Sequence, residues 1–269
     1  MTFVTVKLVD IRLMRLIMTI KEVKEYLETI MSIEDLEQDE LNHDSRVGVQ
    51  NAIKSRKRKL LKELKVKTRY IEMMRYEREL NGVIAGVDEA GRGPLAGEVV
   101  AGAVILGDEK LYGLDDSKKL SESERNRLYD LILDTCTVGI GIATVEEIDT
   151  LNIYEATKLA MMRAVKDLNR DADYLLIDAM ALDLDIHQQS IIKGDANSNS
   201  IAAASIIAKV YRDRLMNEHS KKFPEYEFHK NSGYGTKSHL DALKNYGATP
   251  IHRKSFSPVK ELTHNLFNI

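Results

Sequence analysis

Residues 87–97 read Val-Asp-Glu-Ala-Gly-Arg-Gly-Pro-Leu-Ala-Gly, in which an apolar segment ends in two carboxylates and a glycine-rich turn. The apolar residues 83–87 predict a short buried strand. Carboxylates at the end of such a strand are costly unless their charge is compensated. A divalent cation is the natural compensation, because Mg²⁺ and Mn²⁺ prefer carboxylate oxygens. A strand that simply exits into a polar turn explains an isolated Asp-Glu pair equally well, so Asp88 and Glu89 alone do not decide for a metal site.

The glycines of this turn do not match the common nucleotide-binding loops. The third glycine falls one residue late for the dinucleotide fingerprint, and the Gly-Lys-Ser/Thr ending of a P-loop is absent. Glycine lets the backbone approach a ligand closely, and the guanidinium of Arg92, between Gly91 and Gly93, is suited to a phosphate. The turn is therefore a candidate phosphate contact.

Downstream of residue 81 the pattern alternates between strands and helices. Strands are predicted at residues 99–106, 138–143, 174–177 and 190–192, and helices from about residue 121, over 153–168 and over 201–215. The last of these helices is apolar nearly all round in its first turns, which indicates a buried helix. Three consecutive strands followed by strand–helix alternation predict an α/β fold, a mixed β-sheet flanked by helices.

Two further carboxylates follow predicted strands. Asp178 ends the strand at 174–177, and Asp195 lies in Lys-Gly-Asp just before the helix at 201–215. Asp178 could be a turn residue, and Asp195 could cap the helix. If neighbouring strands bring both beside Asp88 and Glu89, four carboxylates crowd one place. Such a cluster resists joint ionisation without cations, which predicts a two-metal site.

Residues 1–80 form a separate helical region, with one glycine and no proline. Residues 22–44 carry nine acids and one base, whereas residues 54–69 carry nine bases and one acid. The basic run is either a solvated helix face paired with the acidic run or an arm that contacts nucleic-acid phosphates. We expect a helical N-terminal extension over 1–80 and a catalytic domain over 81–269. Residues 1–17 are expected to precede a native start at Met18, because a well-formed helical pattern begins at Thr19.

The composition of the 269-residue chain limits the classes of function. The single cysteine, Cys136, excludes an internal disulfide and a cysteine-rich zinc site. No apolar run reaches the roughly 18 residues of a membrane span. We therefore expect a cytoplasmic protein without a membrane partner, and we take it to be a monomer.

Two C-terminal segments add candidate substrate contacts. Tyr234 stands between two glycines, which suits an exposed ring that stacks on a base or sugar, although a tyrosine in a turn is more often just packed. Arg253 lies in His-Arg-Lys and is a candidate phosphate contact, although a solvated turn explains that segment equally well.

Six segments, in order along residues 83–260, together resemble ribonuclease HII. They are residues 87–97, Asp-Asp-Ser-Lys-Lys-Leu (115–120), Leu-Ile-Asp (176–178), Lys-Gly-Asp (193–195), Ser-Ile-Ala-Ala-Ala-Ser-Ile-Ile-Ala-Lys-Val (200–210) and Gly-Tyr-Gly-Thr (233–236). Ribonuclease HIII usually carries lysine where Arg92 stands and has a strand-containing N-terminal domain, so HII is favoured. One departure is Glu98, where relatives commonly have proline, and we expect it to matter little.

The resemblance implies a ribonuclease H-like fold and a divalent-metal site for Mn²⁺ or Mg²⁺. The implied ligands, which are also the catalytic residues, are Asp88, Glu89, Asp178 and Asp195. It further implies that Gly91, Arg92 and Gly93 grip the backbone at the ribonucleotide, that Tyr234 senses the RNA–DNA junction, and that Lys118 approaches the scissile phosphate.

The implied substrates are RNA–DNA hybrids and DNA that contains ribonucleotides, cut to give 5′-phosphate and 3′-hydroxyl ends. Two other classes stay open at this point. One is a protein that binds hybrids without cutting them, and the other is an unrelated metal-dependent phosphohydrolase.

Overall fold

The computed structural model describes residues 18–265, with side chains through Leu262. The expected start at Met18 concerns residues 1–17, which lie outside this range. The chain divides into two units, Met1–Arg69 and Tyr70–Ile269. Between residues 18 and 265, none of the helices combines the length and the apolar character that crossing a bilayer requires.

The regular elements of the first unit within residues 18–69 are all helical, as predicted. It contains α1 (Ile20–Thr29), α2 (Ile33–Gln38), a 3₁₀ turn (Glu40–His43) and most of α3 (Val47–Met73). Thr19 and Glu22 form a capping box that starts α1. The unit has its own apolar core, to which α1, α2 and α3 contribute Val23, Leu27, Leu36, Val49 and Ile53.

The basic run of α3 is partly paired with the acidic run. Arg56 is buried and donates to the carbonyl of Ile30 and to the carboxylate of Glu28. Lys59 also binds Glu28, and Lys57 binds Glu37. For these three bases the structure supports the interpretation of a helix face paired with acids.

A mixed five-stranded sheet forms the centre of the second unit, in agreement with the predicted fold class. Its strands are β1 (Ile84–Ala90), β2 (Val99–Ile105), β3 (Thr137–Ala143), β4 (Tyr174–Asp178) and β5 (His187–Ile191). Their order is β3-β2-β1-β4-β5, with β1–β2 and β2–β3 antiparallel and β1–β4 and β4–β5 parallel. β1 continues three residues beyond its predicted end, so Asp88 and Glu89 lie inside the strand. They pair with Gly102 and Ala101 of β2.

The helices of the second unit surround this sheet. After α3 they are α4 (Arg75–Arg78), α5 (Glu122–Thr135), α6 (Val145–Leu151), α7 (Ile153–Asp167), α8 (Asn199–Lys222), α9 (Phe228–Asn231), α10 (Lys237–Tyr246) and α11 (Val259–Asn265). Between α3 and α4 the helical region is interrupted at Met74. The helix predicted over 201–215 is longer at both ends, as α8.

Two close approaches hold α7 and α8 against the sheet. A Cβ at Gly141 of β3 would lie 2.0 Å from the carbonyl oxygen of Ala160 in α7. A Cβ at Gly86 of β1 would lie 2.1 Å from the backbone of Ser200 in α8. Only glycine permits either contact. The first turns of α8 are fully buried, as their apolar sequence predicts.

Candidate active site

The four predicted carboxylates line one cleft at the end of the sheet. Asp88 and Glu89 come from β1, and Asp178 ends the adjacent parallel strand β4. Asp195 lies in the 3₁₀ turn Gly194–Ala196 that follows β5. Because β1, β4 and β5 run parallel, their carboxyl ends meet at the same edge, and the four side chains share the cleft.

Burial and mutual repulsion disfavour the charged forms of these carboxylates. Asp88 is only 5% exposed. Burial raises the pKa of Asp88 well above its usual value, and repulsion from Glu89 and Asp178 raises it further. Burial also raises the pKa values of Glu89 and Asp195, although Arg92 partly offsets the effect at Glu89. A cluster of this kind favours either protonation or a bound cation.

The carboxylate oxygens of these residues suit a divalent cation whose remaining coordination positions are filled by substrate. Oε2 of Glu89 is buried without a hydrogen-bond partner, which is costly for a carboxylate and leaves this oxygen available to a metal. Oδ1 of Asp178 accepts from the Gly194 amide at 2.6 Å, which orients that carboxylate. Within residues 18–265, no three histidine, cysteine, aspartate or glutamate side chains form a ready-made metal cage. Mg²⁺ is commonly held by one or two carboxylates together with waters and substrate phosphates, so the open arrangement suits a phosphodiester substrate.

The same cleft is also lined by basic residues and by most of the predicted substrate contacts. The residues from that prediction that line it are Gly91, Arg92, Gly93, Lys118 and Tyr234. The side chain of Arg92 is 43% exposed, and Nη1 lies 3.4 Å from Oε1 of Glu89. The Tyr234 residue is 46% exposed. The carboxylates and the phosphate-binding candidates therefore face the same space.

The structure contradicts the predicted phosphate contact of Arg253. This residue is fully buried. Its Nε donates to the carbonyl of Gly97, Nη1 donates to those of Arg92 and Pro94, and Nη2 donates to those of Gly91 and Gly97. Burial lowers the pKa of Arg253 to about 9, which leaves the guanidinium charged at neutral pH. All five N–H groups are used, so Arg253 holds the glycine turn from inside instead of reaching the cleft.

Two basic residues of α8 that line the cleft were not predicted from the sequence. Lys209 lines the cleft and is held by Asp213 at 2.7 Å. Arg212 is 1% exposed, lines the cleft wall and donates to the carbonyls of Ala96, Glu98 and Ser232. A signal for Lys209 was present, because it is the first charge after an entirely buried run.

The sequence also matches known protein families. Residues 85–259 match the family model described as ribonuclease HII, and residues 19–81 match the model of the ribonuclease HII N-terminal domain. This chain belongs to the ribonuclease HII family. Members of that family are metal-dependent endoribonucleases, so the chain is an enzyme of this class.

Individual relatives and solved structures are also similar to this chain. Ribonuclease HII of Staphylococcus carnosus (strain TM300) is 53% identical over 240 residues, which cover 87% of this chain and 92% of that relative. The crystal structure of ribonuclease H2 from Pyrococcus horikoshii OT3 aligns with a TM-score of 0.59 and 26% identity, over 69% of this chain and 99% of that one. Bst-RNase HIII, crystallised with Mn²⁺, aligns with a TM-score of 0.51 and 17% identity over 70% of this chain and 71% of that one, so it shares the fold.

Glu98, the departure from the ribonuclease HII pattern, has a partner in the structure. Its two carboxylate oxygens lie 3.1 and 3.0 Å from Nε2 of His219 on α8. Burial is the strongest single influence and raises the pKa of Glu98, but the hydrogen bond from His219, the backbone amide of Glu98 and the charges of His219 and Arg212 together outweigh it and lower the pKa. The Glu98 side chain thus connects the glycine turn to α8, whereas the sequence suggested that this position would matter little.

Two buried histidines are expected to make the stability of this chain depend on pH. Nε2 of His239 lies 2.9 Å from Nε2 of His252, and both residues are fully buried. Burial lowers the pKa of His252 from 6.5 to about 4, and His239 adds to the effect. Between pH 6.5 and 4 the unfolded chain therefore binds a proton at His252 that the folded chain does not. The contribution of neutral His252 to the free energy of unfolding is fully present above pH 6.5 and is lost as the pH falls towards 4. The loss from His252 is at most ~3.5 kcal/mol, at about 1.4 kcal/mol per pH unit over the roughly 2.5 units between 6.5 and about 4.

His252→Asn is expected to flatten this pH dependence. Asparagine does not titrate, so the free energy of unfolding should fall less steeply between pH 6.5 and 4 than in the parent, even if the variant is less stable at pH 7. Urea unfolding across that range measures the slope. The exposed His43 provides the control His43→Asn, which should keep the parental slope. Equal slopes for parent and His252→Asn would show that the pair is not the titrating element.

Proposed function

We propose that this chain hydrolyses the RNA strand of RNA–DNA hybrids and also cuts duplex DNA at single embedded ribonucleotides. One observation carries the proposal. The four carboxylates Asp88, Glu89, Asp178 and Asp195 share a cleft with a glycine turn and an exposed tyrosine. The carboxylates suit phosphodiester hydrolysis, and the turn and ring suit recognition of the sugar beside the scissile bond.

The carboxylates are the groups that would hold two divalent cations, Mg²⁺ or Mn²⁺. When bound, such cations supply an activated water and stabilise the leaving 3′-oxygen, so that in-line hydrolysis gives 5′-phosphate and 3′-hydroxyl ends. Asp88 is the most buried of the four and interacts electrostatically with Glu89, Asp178 and Asp195, so it would be the central ligand. The amide of Gly194 keeps the carboxylate of Asp178 oriented.

Recognition of the ribonucleotide would fall to the turn and to Tyr234. The 2′-hydroxyl is the group that distinguishes RNA from DNA at a single position, and reading it requires a close approach. A Cβ at Gly93 would lie 3.4 Å from Cε1 of Tyr234, so the ring packs directly beside the turn. The turn and the ring thus form one continuous surface. Lys118 and Lys209, on the walls of the same cleft, are placed to contact phosphates.

Cleavage of two matched substrates tests this proposal. The parent is expected to cut both a labelled RNA–DNA hybrid and a DNA duplex with one ribonucleotide, in Mg²⁺ or Mn²⁺. Tyr234→Ala should lower kcat/KM for the single ribonucleotide by about 10-fold or more, since a stacked base is worth about 1–3 kcal/mol. The kcat/KM for the hybrid should fall less, because the hybrid offers many equivalent cleavage positions.

The control variant is Tyr154→Ala, which removes a comparably exposed ring from α7. It should cut both substrates like the parent. Tight binding of either substrate without cutting would favour a non-catalytic hybrid-binding protein. Cutting confined to long hybrids would contradict the proposed recognition of single ribonucleotides.

A further inference from the structure

Tyr234 is held mainly through its own backbone. It lies between α9 and α10, flanked by Gly233 and Gly235, which add little stiffness of their own. Its amide donates to the carbonyl of Asn231 at 2.9 Å. Its carbonyl accepts from the Thr236 amide at 2.7 Å and lies 2.9 Å from Nδ1 of His239. The position of the exposed ring therefore depends on what holds this carbonyl.

The two buried histidines admit one arrangement of protons. The amide of Thr249 donates to Nδ1 of His252 at 2.9 Å, so that nitrogen is an acceptor and the proton of His252 is on Nε2. Nε2 of His252 then donates to Nε2 of His239, which lies 2.9 Å away. The proton of His239 is consequently on Nδ1 and is donated to the carbonyl of Tyr234. Burial lowers the pKa of both histidines, which keeps this neutral pair intact at physiological pH.

The histidine pair is also fixed by aromatic packing. The ring centroids of Tyr226 and His252 are 5.1 Å apart, and those of Phe228 and His239 are 5.3 Å apart. Neither imidazole is exposed to solvent. The rings are therefore held in place, and their hydrogen bonds are directed.

The same buried structure is joined to the glycine turn. His252 forms a β-bridge with Ala96, and the next residue, Arg253, holds the carbonyls of the turn from inside. The amide of Leu95 also donates to the carbonyl of Gly233 at 2.8 Å. Tyr234 and the turn are thus tied to one another beneath the cleft.

We propose that His239 and His252 are positioning residues that set Tyr234 against the glycine turn and thereby determine how well a single ribonucleotide in DNA is recognised. This inference rests on the proposed function. The histidines do not touch the substrate. They act through the carbonyl of Tyr234, so their loss should change substrate preference more than the hydrolytic step.

Two substitutions of His239 separate positioning from packing. In His239→Asn the amide nitrogen can occupy about the place of Nδ1 and donate to Tyr234, but the bond to His252 is lost. In His239→Gln the amide reaches the place of Nε2 and can accept from His252, but the donor to Tyr234 is lost. Each variant therefore keeps one of the two hydrogen bonds of His239. His239→Asn keeps the bond to Tyr234, and His239→Gln keeps the bond to His252.

The measured quantity is the ratio of kcat/KM for a single-ribonucleotide duplex to kcat/KM for a long hybrid. We expect His239→Gln to lower this ratio about 5- to 10-fold and His239→Asn to keep most of it. The melting temperatures should rank the two variants in the opposite order. His239→Asn should be the less stable of the two, because asparagine leaves more empty volume and an unpaired His252. If the ratio instead follows thermal stability, the histidines are only structural and the inference is overturned.

A double-variant cycle with Tyr234→Ala completes the test. In that background His239→Gln should lower the ratio no further, because the residue it positions has been removed. An equal further loss would overturn the inference while leaving the proposed function intact. Failure of the parent itself to cut at a single ribonucleotide would instead overturn the proposed function, and this inference with it.

Discussion

Asp88→Asn is expected to abolish hydrolysis, lowering kcat by at least about 10³-fold in Mg²⁺ or Mn²⁺. Asparagine keeps the shape of the side chain but removes the charge at the centre of the carboxylate cluster. Metal-ion catalysis of this kind is worth several kcal/mol, and each 1.4 kcal/mol or so is tenfold in rate. Single-turnover cleavage of a labelled hybrid measures the loss.

The same variant should bind substrate and fold at least as well as the parent. Removing a negative charge from the cleft reduces repulsion of the phosphates, so hybrid affinity should be retained or should rise. In the presence of a chelator the free energy of unfolding should also rise, since Asp88 is buried beside Glu89 and Asp178. Adding Mg²⁺ or Mn²⁺ should then raise the melting temperature of the parent more than that of the variant.

The exposed Asp183 provides a matched control, because its side chain is 81% exposed and lies away from the cleft. Asp183→Asn removes the same charge and should leave cleavage and metal response unchanged. Substantial cleavage by Asp88→Asn would remove this residue from the metal site. Loss of binding together with loss of cleavage would indicate a folding defect instead.

The carboxylate half of the site was predictable because it follows from strand topology. Asp88 and Asp178 each come at the end of an apolar segment, and carboxyl ends of neighbouring parallel strands meet at one edge. Each segment is short and local, so the pattern of polar and apolar residues is enough. That β1 extends through Ala90 was not predictable, because the extra pairing depends on β2.

The basic half was only partly predictable because its geometry depends on contacts between distant segments. Arg253 resembles a solvent-exposed base in a polar turn, yet its carbonyl partners lie 156 to 162 residues earlier in the chain. The bases of α3 present the same difficulty. Arg56 and Lys57 find their acidic partners 28 and 20 residues away, so composition alone could not distinguish pairing from a nucleic-acid arm.

Arg253→Met is expected to lower the free energy of unfolding by roughly 3–5 kcal/mol. Methionine fills similar space but donates no hydrogen bond. The carbonyls of Gly97 and Pro94 are contacted in buried surroundings, and those of Gly91 and Arg92 in partly buried ones. Each buried acceptor left without a donor costs about 1–3 kcal/mol. Urea unfolding at neutral pH measures the change, and Lys254→Met, at the exposed neighbour, is the control.

Cleavage by Arg253→Met should fall on both the hybrid and the single-ribonucleotide duplex. The turn that Arg253 holds carries Arg92 and directly follows Asp88 and Glu89, so loosening it disturbs binding and chemistry together. That pattern differs from the selective loss expected at Tyr234 or His239. If Arg253→Met were as stable as the parent but bound the hybrid weakly, the guanidinium would be a phosphate contact after all. The internal support of the turn would then have to come from Arg212, whose three donated bonds also end on carbonyls near it.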